Sequence, residues 1–481
     1  MKRVIVMILL TVFPRMLAAQ AIDVSELTGE SWYGLYLNGQ KSGYSMNGLE
    51  KLENGNVAVT EDSHFRLTMG GIKQDMRVYA KRLYAPDGSL IRIDSEVEDS
   101  QGVSKFEAVV QGEEIVLTSR LSGQAMEKRL PKPKESLRDA LKQVDLAKEG
   151  AKIGDRISYT LFEPMKPGEI HGTSEIVGEE ERIFDGVPTK VFRVKSILDL
   201  MNMESVSYVT EKGVTLEDTT SGMLTMRLEP KEIAQDVKYS NDVIVSNAAM
   251  VTTPLDDPRG RDSLHLRLTG PLQPAHLFND ERQKLIQKDG SFEFFAKKVS
   301  LDGFQAAQLP ITDESVKEWM QPSLFVQSDD PKIVAKAKEI VGAEKDAVKI
   351  SQKLCAWVYK NVKSTFSARL TNAREVLDSL EGDCTEHSIL YIALARAAGL
   401  PAREVAGLLY MPGSQPGFYF HQWAKVWVGK WIDVDPTWDQ PLADVTHIKL
   451  AEGDLFQQAQ LIPVIGQIKV EVLEETASAK P

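Results

Sequence analysis

The run Gly382-Asp383-Cys384-Thr385-Glu386-His387-Ser388-Ile389-Leu390 decides how this chain is read. An Asp followed three residues later by Glu, just ahead of an apolar run, is a carboxylate form of the capping box, so a helix is expected to begin at Cys384. Unpaired N–H groups and the positive end of the helix dipole favour a thiolate at that address, which predicts a cysteine pKa below its usual value of about 8.5. From Cys384 to about Ala398 the helix is apolar on nearly every side, the pattern of a helix buried at the centre of a domain. Gly399 suits the position just past its end, and Pro401 stops the run. Cys384 therefore reads as a nucleophile presented by a buried helix.

Working outward, Tyr419 to Val428 reads as a strand carrying His421. After a Gly429-Lys430 turn, Trp431 to Asp435 reads as its antiparallel partner, ended by Pro436. A cysteine with a histidine base held by a carboxylate is the arrangement that activates a thiol for acyl transfer. Register decides whether the three can meet. A two-residue turn sets Asp435 opposite Ala424, on the face away from His421. A three-residue loop or a bulge sets it opposite Lys425, on the histidine's face.

The motifs Gly382 to His387, Ala395-Arg396-Ala397-Ala398-Gly399-Leu400-Pro401-Ala402-Arg403, His421-Gln422-Trp423 and Trp431 to Asp435-Pro436-Thr437-Trp438 resemble the bacterial transglutaminase-like superfamily. The resemblance covers about Asp329 to Lys449. It implies a papain-like core with Cys384 as nucleophile, His421 as general base and Asp435 as the residue that orients the histidine. Four residues after the histidine, where this family commonly has Glu, the chain has Lys425.

At 481 residues the chain is long for one core, and 42% hydrophobic with 26% charged residues is an ordinary globular composition. Lys2 and Arg3 ahead of the apolar stretch Val4 to Phe13, then Leu17-Ala18-Ala19, read as a cleavable export signal. That stretch is too short to span a bilayer, which needs about 20 apolar residues. Loss of residues 1–19 removes Lys2, Arg3 and Arg15 and no acid, moving the net charge from −12 to −15. So acidic a chain disfavours nucleic acid and anionic membrane surfaces as partners. The resemblance implies a protein or peptide substrate, and the export signal a location in the periplasm or outside the cell. No cofactor fingerprint or calcium loop is visible.

The expected class is α+β: a central helix packed on an antiparallel sheet, preceded by mostly β domains. The expected divisions are a signal at 1–19, a β-rich domain at 20–244, a small β-rich connector at 245–325, the catalytic domain at 326–455, and a terminal strand with a disordered tail at 456–481. Asn56 to Thr68, Ile91 to Glu98, Glu114 to Ser119 and Arg156 to Phe162 are expected strands, with Pro86-Asp87-Gly88 the clearest hairpin turn and Lys134 to Glu149 a short helix. Asp330-Pro331 reads as the cap and first residue of a helix to Val341. Helices at Asp346 to Val362 and Asn372 to Leu380 follow.

Rival assignments involve the same residues. Cys355 lies beside the apolar stripe of its own helix and reads as core rather than as a disulfide partner of Cys384. His387, three residues after Cys384, is a rival base, with a structural hydrogen bond the better reading. Zinc held by Cys384, His387, His421 and Asp435 is chemically admissible, although no CxxC or HExxH accompanies them. A non-catalytic scaffold acting through the β-rich region is the rival from another class. The Cys384 N–H is the natural first oxyanion donor, with Trp357, Tyr359 and Asn361 as candidates for the second. His64, His171, His265, His276 and His447 stand in no constellation and read as surface or packing residues.

Overall fold

The computed structural model describes residues 28–473 except 70, 100–101, 122–123, 149, 185, 200–202, 366–370, 459–460, 462–463 and 465. The expected export signal and the tail from Glu474 lie outside the described residues.

Alternating apolar and polar residues between glycine turns give fourteen strands joined in one antiparallel sheet. Gly29–Leu37 to Gln124–Pro131 form one meander and Arg156–Glu163 to Leu224–Leu228 a second. The two are joined where Tyr33 pairs with Leu228, across nearly the whole region. Tyr84, Ile93, Phe106, Ile115 and Phe162 form one buried cluster, and Ile176, Phe192, Val194 and Val209 another. The expected helix at Lys134 to Glu149 is split into Leu137–Ala140 and Lys142–Leu146. Leu137 joins the first cluster and Leu146 the second. Just before it, buried Glu135 accepts from Arg82 (2.8 Å), the Tyr84 hydroxyl (2.6 Å) and the Phe162 N–H (2.6 Å). A half-open pocket of about 590 Å³ is lined by Tyr33, Glu61, Lys142, Tyr159 and Asp218 among others.

The C-terminal part starts from four capped helices. Asp330, Asp346, Asn372 and Asp383 each accept a first-turn N–H of Pro331–Val341, Ala347–Asn361, Ala373–Ser379 and Cys384–Ala397 respectively. The last of these is the core helix, with Glu386 to Ala395 buried. It packs among the other three and against Ala424, Val426, Ile432 and Val434 of the sheet. That sheet runs Ala249–Met250, Gly417–Trp427, Ala402–Met411, His447–Glu452, with Trp431–Val434 also paired to Gly417–Trp427. Ala402–Met411 was not expected as a strand: its residues are buried on both sides, so it lacks the alternation that marks a half-exposed one.

Two local features shape the sheet at the site. The pairing of Ala402–Met411 with His447–Glu452 shifts between Ala406 and Gly407, where a side chain would run into the Ile448 carbonyl. Only glycine allows so close an approach. On its other side, Gly417–Trp427 pairs with Ala249–Met250 at Gly417 and Phe418 and with Trp431–Val434 from Ala424 on. Between them, among the described residues, no strand covers positions 419–423.

Segment 245–325 does not stand apart from this core. Its strands Ser263–Thr269, Gln283–Lys288 and Ser291–Lys297 share a sheet with Lys469–Val472. Leu264, Leu266 and Phe294 belong to one buried cluster with Leu408, Phe418 and Ile448. No helix among the described residues is long and apolar enough to cross a membrane.

Candidate active site

Cys384 is the first residue of its helix, held there by reciprocal caps: Thr385 N–H donates to Asp383 Oδ1 and Asp383 N–H to Glu386 Oε2, each 2.8 Å. Its sulfur accepts from the backbone N–H of Gln422, the residue next to His421. Ser388, one turn further on, donates to the Gln422 carbonyl at 3.2 Å. The helix start is thus tied to the uncovered edge of the histidine strand.

The thiol is the main departure from the sequence reading. Burial pushes the Cys384 pKa well above its ordinary value, the Asp383, Glu386 and Asp435 carboxylates push it further, and only the Gln422 N–H pulls it down. A helix dipole contributes about 0.3–1 kcal/mol, at most about 2, whereas a buried group can shift by about 3–5 units at 1.36 kcal/mol each. Cys384 keeps partial exposure, yet desolvation together with the carboxylates outweighs the dipole, and the thiol pKa is raised rather than lowered. Burial and the adjacent Glu386 likewise raise the Asp383 carboxyl.

Trp427 pairs with Trp431, so Val428, Gly429 and Lys430 form a three-residue loop. This register carries Asp435 opposite Trp423, one strand period from the expected Lys425 but on the same face as His421. Accordingly, His421 Nε2 lies 2.8 Å from Asp435 Oδ2, and both side chains are buried. An ionised carboxylate accepts only, so Nε2 carries the proton and Nδ1 is left with a lone pair for a thiol. Asp435 is held far below the carboxylate range, against its burial, by His421 and His447.

His447 was expected to be a packing residue. It is fully buried, with Nε2 3.0 Å from the same Asp435 Oδ2 and Nδ1 3.1 Å from Asp444 Oδ1. The two carboxylates raise its pKa against the opposing effect of burial. Arg259 Nη1 donates to Asp444 Oδ2 at 2.9 Å, and Arg282 donates to the His447 carbonyl. The signal available in the sequence was Asp444-x-x-His447 opening a strand, which means little until Asp435 is known to lie beside it.

The other candidates are committed elsewhere. His387 Nδ1 and Nε2 face the Asp383 and Val362 carbonyls at 2.7 and 3.2 Å, so neither ring nitrogen serves the sulfur or a metal. The rival zinc set of Cys384, His387, His421 and Asp435 is therefore not assembled. His421, Asp435 and His447 instead offer ligand atoms within 4.8 Å of one another. Their spacing is already explained by hydrogen bonds through protons. Cys355 is buried and free, its sulfur 3.8 Å from the Asp435 carbonyl. Asn361 donates to the Trp357 carbonyl of its own helix at 2.7 Å, and Tyr359 is half exposed. Lys425 is buried and bonded to Glu452 at 2.7 Å. Lys449, fully buried, joins Glu452 at 3.0 Å and Asp433 at 3.1 Å.

Residues 334–436 match the sequence profile of the Transglutaminase-like superfamily. An uncharacterized protein of Haemophilus influenzae is 29% identical over 110 residues, 22% of this chain, and the match spans only 29% of that protein's length. Among solved structures, a proposed cysteine protease from Cytophaga hutchinsonii aligns with 44% of this chain and 81% of its own, at 18% identity and TM-score 0.31. A β-barrel-like protein of a domain of unknown function from Brucella abortus aligns with 42% of this chain and 94% of its own, at 13% identity and TM-score 0.33. The chain is an α+β protein whose segment 334–436, behind a β-rich N-terminal region, belongs to the transglutaminase-like superfamily.

Proposed function

We propose that this protein is an exported cysteine enzyme acting on peptide or carboxamide bonds, with Cys384 as nucleophile, His421 as base and Asp435 as its orienting carboxylate. The observation that carries the proposal is the pairing of His421 Nε2 with Asp435 Oδ2 beside a sulfur bonded to the Gln422 N–H. In this reading the thiol proton passes to His421 Nδ1 as the sulfur attacks the carbonyl carbon. The Cys384 N–H, in a first helical turn with no intrahelical acceptor, faces the developing oxyanion. His421 then returns the proton to the departing nitrogen as the C–N bond breaks, leaving a thioester. Water resolves it as a hydrolase would, and an amine as an acyltransferase would.

Because burial holds the sulfur protonated, the enzyme reacts poorly with iodoacetamide at mildly acidic pH, unlike a cysteine enzyme that rests as an ion pair. An activated acyl probe is the direct test. Wild type is labelled on Cys384 and Cys384→Ala is not, with its unfolding curve unchanged. Labelling that persists through Cys355 would overturn the assignment. Export is proposed from Lys2, Arg3, the Val4 to Phe13 stretch and Leu17-Ala18-Ala19. A mature N-terminus at Gln20 is the expected result of sequencing the protein from the cell envelope or medium.

A further inference from the structure

We propose that His447 is a positioning residue of this site: an imidazolium that donates one N–H to Asp435 and the other to Asp444, and so sets how much of the Asp435 charge reaches His421. The inference rests on the reading of Cys384, His421 and Asp435 given above and adds a member that lies beyond the matched segment 334–436.

The geometry carries it. Asp435 Oδ2 lies 2.8 Å from His421 Nε2 and 3.0 Å from His447 Nε2, so two imidazoles share one oxygen. Asp435 Oδ1 is engaged by the Thr437 N–H at 2.9 Å. At the far side of His447, Asp444 Oδ1 lies 3.1 Å from Nδ1 and also accepts from the Thr446 N–H at 2.8 Å, while Oδ2 accepts from Arg259 and from Gln440 Nε2. Both partners of the His447 ring are carboxylates, which accept only, so both ring nitrogens carry protons. That assignment agrees with the raised pKa of His447.

Other charged groups surround the pair on every side. Arg282 donates to the His447 and Asp444 carbonyls. Asp433 accepts from Trp423, whose ring meets His447 edge-on at 5.1 Å, and is itself neutralised by Arg282 and Lys449. Lys425 lies further along the same strand, and Asp383, Glu386, Cys355 and Cys384 flank the His421 and Asp435 side. Among them only His447 donates a charged N–H to Asp435 at rest. When His421 becomes cationic during the reaction, it shares its counter-ion with a cation that is already present. A fixed cation on the shared oxygen disfavours a thiolate–imidazolium pair at rest and holds Asp435 in one orientation.

The experiment uses the full-length protein and reads Cys384 alkylation by iodoacetamide from pH 4.5 to 9.5. Removing the competing cation in His447→Gln should move the profile toward acid by about one unit, the usual size of an opposite-charge effect at contact. Asp444→Asn, which loosens the hold on the second ring proton, should move it the same way by less, and it serves if His447→Gln does not fold. In wild type at pH 8, nitrogen NMR should show both ring nitrogens of His447 protonated. An unmoved profile in a folded variant, a neutral His447 ring, or stoichiometric zinc in the purified protein would each overturn the inference. The underlying triad has a separate control. If His421→Ala leaves the wild-type profile unchanged, the triad itself fails, whereas a response to His421→Ala with none to His447→Gln removes only the role of His447.

Discussion

The two regions of this molecule handle buried polarity in opposite ways. In the fourteen-stranded sheet, buried polar side chains are mostly small hydroxyls, some bonded to each other, such as Ser45 with Ser63 and Ser174 with Ser196, and most ion pairs lie on the outside. Its one strongly buried ion pair among the described residues, Arg82 with Glu135, is fully satisfied and closes the sheet onto its helical segment. Around Gly417–Trp427, by contrast, Asp433, Asp435, His447, Lys449, Arg282 and Lys425 are all buried and linked. Desolvating ions is expensive, and such groups are often no more stabilising than apolar ones of the same shape. A fold that concentrates them at one place beside a cysteine gives up stability there, which marks the place as a functional-site candidate.

The sharpest way to break this contrast is His421→Ala. Labelling of Cys384 by an activated acyl probe should fall by about 10²–10⁴-fold, the usual worth of a general base, while unfolding stays cooperative. An unaltered rate would make the buried charges structural. Next in size, Lys449→Met takes one cation from Asp433, which keeps Arg282, and one from Glu452, which keeps Lys425 and Arg403, and should cost about 3 kcal/mol in urea unfolding. Glu135→Gln, in the other region, removes one charge from three hydrogen bonds and should cost about 1.5–3 kcal/mol while leaving the labelling rate at Cys384 untouched.

A pH scan of melting temperature gives a smaller effect with a defined sign. Asp435 and Asp444 are held below the carboxylate range, so their contribution is present above about pH 4 and is lost as pH falls. His447 is held above its ordinary value, so its contribution is complete below about pH 6.5 and is lost as pH rises through the raised value. Both act together between about pH 4 and pH 6.5, and His447→Gln should remove the decline on the alkaline side. Smallest of all, Arg129→Ala on the exposed face, where its partners Glu114 and Glu127 are both more than half exposed, should change unfolding free energy by no more than about 0.5 kcal/mol.

What could be read from sequence was local chemistry. The caps at Asp330 and Asp383, and the helix starts at Asp346 and Asn372, were legible because each depends on residues within one turn. The hairpin turn at Pro86-Asp87-Gly88 was legible for the same reason, with Gly88 N–H bonded to the Ala85 carbonyl. The order of Cys384, His421 and Asp435 was visible too, but the register joining the last two hung on one residue in a loop. Properties set by distant neighbours stayed hidden. Whether a helix start lowers a thiol pKa depends on how deeply the rest of the chain buries it, and three carboxylates from two segments oppose the dipole here. His447 was passed over because its partner Asp435 becomes its neighbour only when Gly407 lets two strands close up.

Arg259 and Arg282 come from the stretch between the large sheet and the helices, yet they neutralise Asp444 and Asp433 inside the core. Cutting the gene at codon 326 to obtain a minimal C-terminal fragment would discard both guanidinium groups and leave Asp433 with Lys449, and Asp444 with His447, as their remaining cationic partners. The smallest autonomous piece should therefore begin near residue 245 and keep Lys469–Val472, which zips onto Ser263–Thr269.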